Sequence, residues 1–170
     1  MENPKEDPRH IPLEMAQRSA RRNVERNAGK NSRLTTELAE DHKKIVRQLD
    51  LLKATPKFVE GNSKPTILCL RLKQMFAQHC AKEQRLLYPL LTRYLDSNVC
   101  KLLTQEHEAI TNTIRKAAEQ IRGDGEVTHW DSMSQLDQML RSHFSKEENV
   151  LFWYLDVQLM YPRRSFGLPS

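Results

Sequence analysis

The chain has 170 residues, 29% of them charged, with only 5 glycines and a mean hydropathy of -0.70. That composition describes long regular elements with few tight turns, favours helices over sheets, and excludes a chain dominated by membrane spans or a disulfide scaffold. The formal charge of +5 does not define a nucleic-acid face, because residues 1–33 hold 8 Lys and Arg against 5 Asp and Glu, which leaves only +2 for the other 137 residues.

The first segment, residues 1–33, reads as a basic N-terminal extension, partly flexible or forming a short helix. Its stretch RSARRNVERNAGK offers a charged arm for a protein partner or, less readily, for phosphate groups or anionic lipid; a solvated arm is the simpler reading. The opening MENPKEDPRHIP has no apolar run for a signal peptide, and LLYPLL and VLFWYL are too short to span a bilayer. Cys69, Cys80 and Cys100 are odd in number, form no Cys-x-x-Cys pair and sit in apolar helical patterns. The expectation is a soluble, cytoplasmic protein with reduced thiols and no membrane contact.

From about residue 34 the apolar residues recur every three or four positions, the helical period, in four stretches separated by turn signals. The first runs from about Leu34 to Ala54 and stops before Pro56. The second starts at Pro65, where proline suits a first helical turn, and continues to about Leu95 with a kink expected at Pro89. The third has Ser97 as its expected N-cap and stops at Gly123. The fourth opens near Thr128 and ends near Met160, leaving residues 161–170 as a tail. Short connections make sequential helices antiparallel, so the architecture expected for residues 34–160 is an all-α, up-down-up-down four-helix bundle.

The four apolar stripes are interrupted by polar residues at core positions. His42 lies between Leu38 and Ile45, His79 and Glu83 between Phe76 and Leu87, His107 between Leu103 and Ile110, and His143 and Glu147 between Leu140 and Leu151. In both His-x-x-x-Glu pairs the i, i+4 spacing stacks the ring and the carboxylate on one face. Each histidine lies 12 to 15 residues from the matching end of its helix, so the six groups should meet at one height at ~1.5 Å rise per residue. An internal repeat supports this. LAEDHKKI resembles LTQEHEAI, HCAKEQRLLY resembles HFSKEENVLF, and the single histidine precedes the His-Glu pair by 37 residues in one half and 36 in the other. Each half is thus a helical hairpin supplying one His and one His-Glu pair, the two-fold arrangement a dinuclear site needs.

Four imidazoles and two carboxylates without a thiolate suit two iron ions, with manganese or zinc as possible substitutes. His-Glu-x-x-His is absent, and Glu-x-x-His occurs only at Glu126 and His129, which argues against a zinc protease and a ferritin-type ligand set. A metal-free bundle would have to bury all six groups with few partners. Asp41 and Glu106, each just before a single histidine, are candidates to support the ligands. Lys82 and Lys146 share a repeat position and read most simply as surface charges; Cys80 reads as packing, and Tyr88, Phe152, Trp153 and Tyr154 do too, although a tyrosine near the site could also guard access or donate a hydrogen bond. His10 and His129 fall outside the pattern.

At these residues the sequence resembles the hemerythrin family, specifically its HHE cation-binding branch, over roughly residues 34–160. The resemblance implies that His42, His79, Glu83, His107, His143 and Glu147 ligate two irons joined by an oxo or hydroxo bridge. It departs from the oxygen carriers at Thr111, where they have a further histidine, and at Glu148, where they have an aspartate; both residues join the candidates around the site. The ligand set is closer to that of di-iron proteins that repair iron-sulfur clusters, without their cysteine-bearing N-terminal domain. The expected function is binding or reduction of a small oxidant, namely dioxygen, nitric oxide or peroxide, in a stress response. An iron- or oxygen-sensing or iron-donating module is the alternative, and oxygen storage or carriage follows behind both.

Overall fold

Residues 13–33 contain no proline and are rich in Arg and Ala, with Glu14, Gln17 and Glu25 among them, all residues that accept helical geometry at little cost. The first helix consequently does not begin at Leu34. In the computed structural model α1 runs from Leu13 to Ala54, so residues 13–33 of the basic segment and the first bundle helix form one continuous helix. The structure describes the backbone of residues 13–55, 63–122 and 128–160 and the side chains of 33–55, 63–121 and 132–158. His10, the side chain of His129, the C-terminal tail 161–170 and the side chains of the basic arm before Arg33 lie outside these.

The second rod comprises α2 (Lys64–Lys82), a π-helical turn π1 (Glu83–Leu87) and α3 (Tyr88–Tyr94). The third is α4 (Ser97–Arg122), and the fourth comprises α5 (Thr128–Lys146), a second π-helical turn π2 (Glu147–Phe152) and α6 (Trp153–Met160). No strand occurs among the described residues. Ser97 is the first helical residue of α4 rather than its cap. Asp96 takes that role, its Oδ1 accepting the Asn98 backbone N–H at 2.8 Å and so satisfying one of the orphan donors of the first turn.

The second rod departs from regular geometry at Glu83, six residues ahead of the proline expected to kink it. The π turn in the fourth rod has no proline in it or directly after it, so proline is not the shared cause. Common to both is that the wide turn begins at the glutamate of a His-x-x-x-Glu pair. In π1 the Tyr88 N–H bonds to the Glu83 carbonyl, a five-residue step. Residues five beyond each glutamate, Tyr88 and Phe152, are thereby turned toward the interior.

Two apolar clusters fill the bundle. One joins Ile45, Leu49 and Leu52 to Leu72, Phe76, Ile110, Ile114, Leu136 and Leu140. The other joins Leu34 and Leu38 to Leu87, Leu91, Leu103, Phe152 and Leu155. The first rod passes from the second cluster into the first, the second rod returns, the third repeats the first and the fourth repeats the second. The chain is therefore an all-α, up-down-up-down bundle, and neighbouring rods are sequential ones, with the fourth closing onto the first. Between the clusters, every rod crosses one polar layer. No described helix is long and apolar enough to cross a membrane.

Candidate metal centre

The layer between the clusters holds His42 from α1, His79 from α2, Glu83 from the start of π1, His107 from α4, His143 from α5 and Glu147 from the start of π2. Both glutamates are fully buried and the four rings nearly so. The structure therefore brings all six residues of the sequence pattern to one place.

Their arrangement is two-fold. Each carboxylate oxygen faces a different ring: Glu83 Oε1 lies 3.3 Å from His79 Nε2 and Oε2 3.1 Å from His107 Nε2, while Glu147 Oε1 lies 3.3 Å from His143 Nε2 and Oε2 3.2 Å from His42 Nε2. Two sets of four donors result, His42, His79, Glu83 and Glu147, and Glu83, His107, His143 and Glu147, and within each set the ligand atoms lie within 4.8 Å of one another. Both glutamates belong to both sets.

The outer ring nitrogens settle which inner ones are free to ligate. Glu148 Oε1 accepts from His42 Nδ1 at 2.7 Å, and Glu106 Oε2 accepts from His143 Nδ1 at 2.8 Å. A carboxylate only accepts, so both rings carry their proton on Nδ1 and present an Nε2 lone pair to the centre. Tyr88 Oη reaches His107 Nδ1 at 3.4 Å. Glu106 is also held by Lys146 and Asp41 by Lys82. These lysines, expected as surface charges, are thus clamps on acids beside the cluster.

Thr111 stands apart. α4 turns Leu103, His107, Ile110, Ile114 and Ala117 inward, stepping by three after His107. Thr111, four residues on, is exposed, and the core position one turn after His107 is taken by Ile110. Phe144 was not singled out by the sequence pattern, yet its ring stacks on His42 with centroids 4.0 Å apart at 9°. Phe144→Leu is expected to lower stability by about 1 kcal/mol and to broaden the His42 ring resonances in NMR spectra of the metal-free chain. Unchanged stability and line shape would show that the stack does not hold the ring.

Electrostatics follow from burial. Desolvation lowers His42 and His79 to about 4, with nearby Glu83 opposing it, and it lowers His143 against the pull of Glu106. Burial and the neighbouring Glu83 carboxylate raise Glu147 well above the ordinary carboxylate range. Burial also pushes Glu83 upward, but contact with His107 and His79 outweighs it, and its net displacement is downward. Burial holds the Cys80 thiol protonated, which leaves it without the thiolate that redox chemistry needs.

These groups fit a cation better than they fit one another. All four oxygens of Glu83 and Glu147, His42 Nε2 and His79 Nε2 are buried without a hydrogen bond, despite separations of 3.1 to 3.3 Å. His107 Nε2 and His143 Nε2 lie 3.0 Å apart, and with its proton on Nδ1 His143 contributes a lone pair there. An unpartnered buried polar atom costs about 1–3 kcal/mol, and so many converging on one point form a donor set shaped for positive charge.

Four antiparallel rods around four inward imidazoles and two shared carboxylates define a helical-bundle protein of the cation-binding kind. The chain matches the hemerythrin HHE cation-binding domain over residues 33–155 and belongs to that family. No curated protein and no solved structure matches it.

Proposed function

We propose that the chain is a non-haem di-iron protein that binds or reacts with a small oxidant, dioxygen, nitric oxide or peroxide. The observation that carries this reading is the sharing of Glu83 and Glu147 between two four-donor sets. Shared carboxylates would hold two ions side by side, and each set has only two imidazoles of its own, which would leave coordination positions for a ligand. When bound, paired irons supply electrons and Lewis acidity.

The chain's own residues position, neutralise and admit. Glu148 and Glu106 orient the rings and raise their basicity, while the apolar clusters above and below exclude bulk water. Clefts of about 270 and 280 Å³ reach the layer beside His79 and His143 respectively, room for a diatomic molecule or peroxide.

Metal analysis after anaerobic iron loading, followed by stopped-flow mixing of the reduced protein with dioxygen, nitric oxide and hydrogen peroxide, tests the proposal. It expects a pair of irons per chain and a fast absorbance change with at least one oxidant. A single tightly held ion, or a loaded protein inert to all three, would sink it. Glu148→Gln is expected to weaken metal binding by about tenfold with the helical signal unchanged, because Glu148 is 42% exposed and acts only through His42.

A further inference from the structure

The repeat pairs the residues around the cluster as well as the ligands, and there the two halves differ. Beside His143, Glu106 uses Oε2 for the ring and Oε1 for Lys146. The corresponding residues beside His79 are Asp41 and Lys82. Asp41 Oδ2 is held by Lys82 and Oδ1 faces Lys44 at 3.5 Å, and His79 Nδ1 is left buried without a hydrogen bond. Two sequence differences account for this. Aspartate is one methylene shorter than glutamate, and Lys44 has as its repeat counterpart Ala109, which offers Glu106 no competing cation.

The other pair of rings is also unequal. Tyr88 reaches His107 Nδ1, whereas its counterpart Phe152 has no hydroxyl and stacks on His42 at 5.7 Å. His42 is served instead by Glu148, whose counterpart is Gln84. In sum, both rings of the His107–His143 pair have a partner on Nδ1, and only one ring of the His42–His79 pair does.

We infer that the two metal positions are inequivalent: the one between His107 and His143 fills first, and Asp41, drawn away by Lys82 and Lys44, makes the one between His42 and His79 the weaker. The inference rests on the dinuclear reading above. A ligating histidine whose outer N–H is anchored is oriented and more basic, and losing that anchor weakens metal binding by about 10–100-fold. Asp41 is a positioning residue that acts through His79.

Titrating cobalt(II) into the metal-free full-length chain, followed by calorimetry and by the visible absorption of the bound ion, reads both steps without any turnover. The wild-type chain is expected to bind in two resolved steps separated by at least about tenfold. Asp41→Glu should tighten the second step by about tenfold and leave the first unmoved. Lys44→Ala, at an exposed position where folding is not at risk, should tighten the same step severalfold by freeing Asp41, and Glu106→Asp should weaken the first step only. Two steps of equal affinity, or a second step that responds to neither Asp41→Glu nor Lys44→Ala, would overturn the inequivalence while leaving the dinuclear reading standing. Binding of fewer than two ions at saturation would instead remove the dinuclear reading.

Discussion

Glu147→Gln is expected to abolish binding of the metal pair while leaving the metal-free chain as stable as the parent or more so. Glu147 is fully buried, lies against Glu83 and has its pKa raised well above the ordinary carboxylate range by burial and by that neighbour. The metal-free chain therefore shifts this residue toward its protonated form. Glutamine resembles that form in shape and charge, and it removes the repulsion that appears whenever Glu147 ionises. A metal ion needs the anion, and an amide cannot bridge two cations as a carboxylate does. Glu83→Gln should lose metal equally but destabilise the metal-free chain, since His107 and His79 favour the Glu83 anion and a neutral amide forgoes that attraction. Metal content together with urea unfolding of both metal-free variants separates these outcomes. Retention of two ions by Glu147→Gln would show that the carboxylate is structural, and a large loss of metal-free stability would show that it pairs within the protein.

The six clustered residues were legible because a helix repeats every 3.6 residues: a polar residue on an otherwise apolar stripe has nowhere to point but inward. The repeat then tied the two halves together. What stayed hidden depended on backbone detail. The π turns at Glu83 and Glu147 leave no periodic signature over five or six residues, so Phe152 reads as packing and Tyr88 as packing or a hydrogen-bond donor of unassigned partner, yet both flank the rings because each lies five residues beyond a glutamate. Thr111 is a candidate only through the family resemblance, and the apolar stripe of α4 turns Ile110 inward and leaves Thr111 exposed. Apolar spacing does not mark the start of α1 at Leu13, because helix propensity governs there: residues 13–33 are helical without an apolar stripe like that of the bundle. Lys82 and Lys146 were visible as repeat partners, but long charged side chains on a helix surface are ordinarily solvated, and only the positions of Asp41 and Glu106 reveal their clamping role.

Acid should destabilise the metal-free chain across a window set by its buried rings. His42 and His79 titrate at about 4 in the folded chain, against an ordinary value of 6.5, because burial disfavours the imidazolium. Above 6.5 the rings are neutral folded or unfolded and contribute no pH dependence. As the pH falls from 6.5 to about 4 the unfolded chain takes up protons that the folded chain refuses, so stability drops throughout this window and levels off below it. Each unit of displacement is worth about 1.4 kcal/mol, so the two rings together account for a loss of several kcal/mol. His143, lowered in the same direction, adds to it. Glu147 opposes: its folded pKa is raised, so its protonation as the pH falls is favoured in the folded chain, and the net loss should be larger in Glu147→Gln, where that compensation is gone. Urea unfolding of the metal-free parent and variant at a series of pH values measures both slopes. The loaded chain should hold its stability further into acid, because ligated nitrogens are withdrawn from protonation until the ions leave, and metal release and unfolding should then coincide. A metal-free chain with flat stability between 6.5 and 4 would mean that the rings are not held neutral in the interior, and the case for a preformed site of inward lone pairs would fall with it.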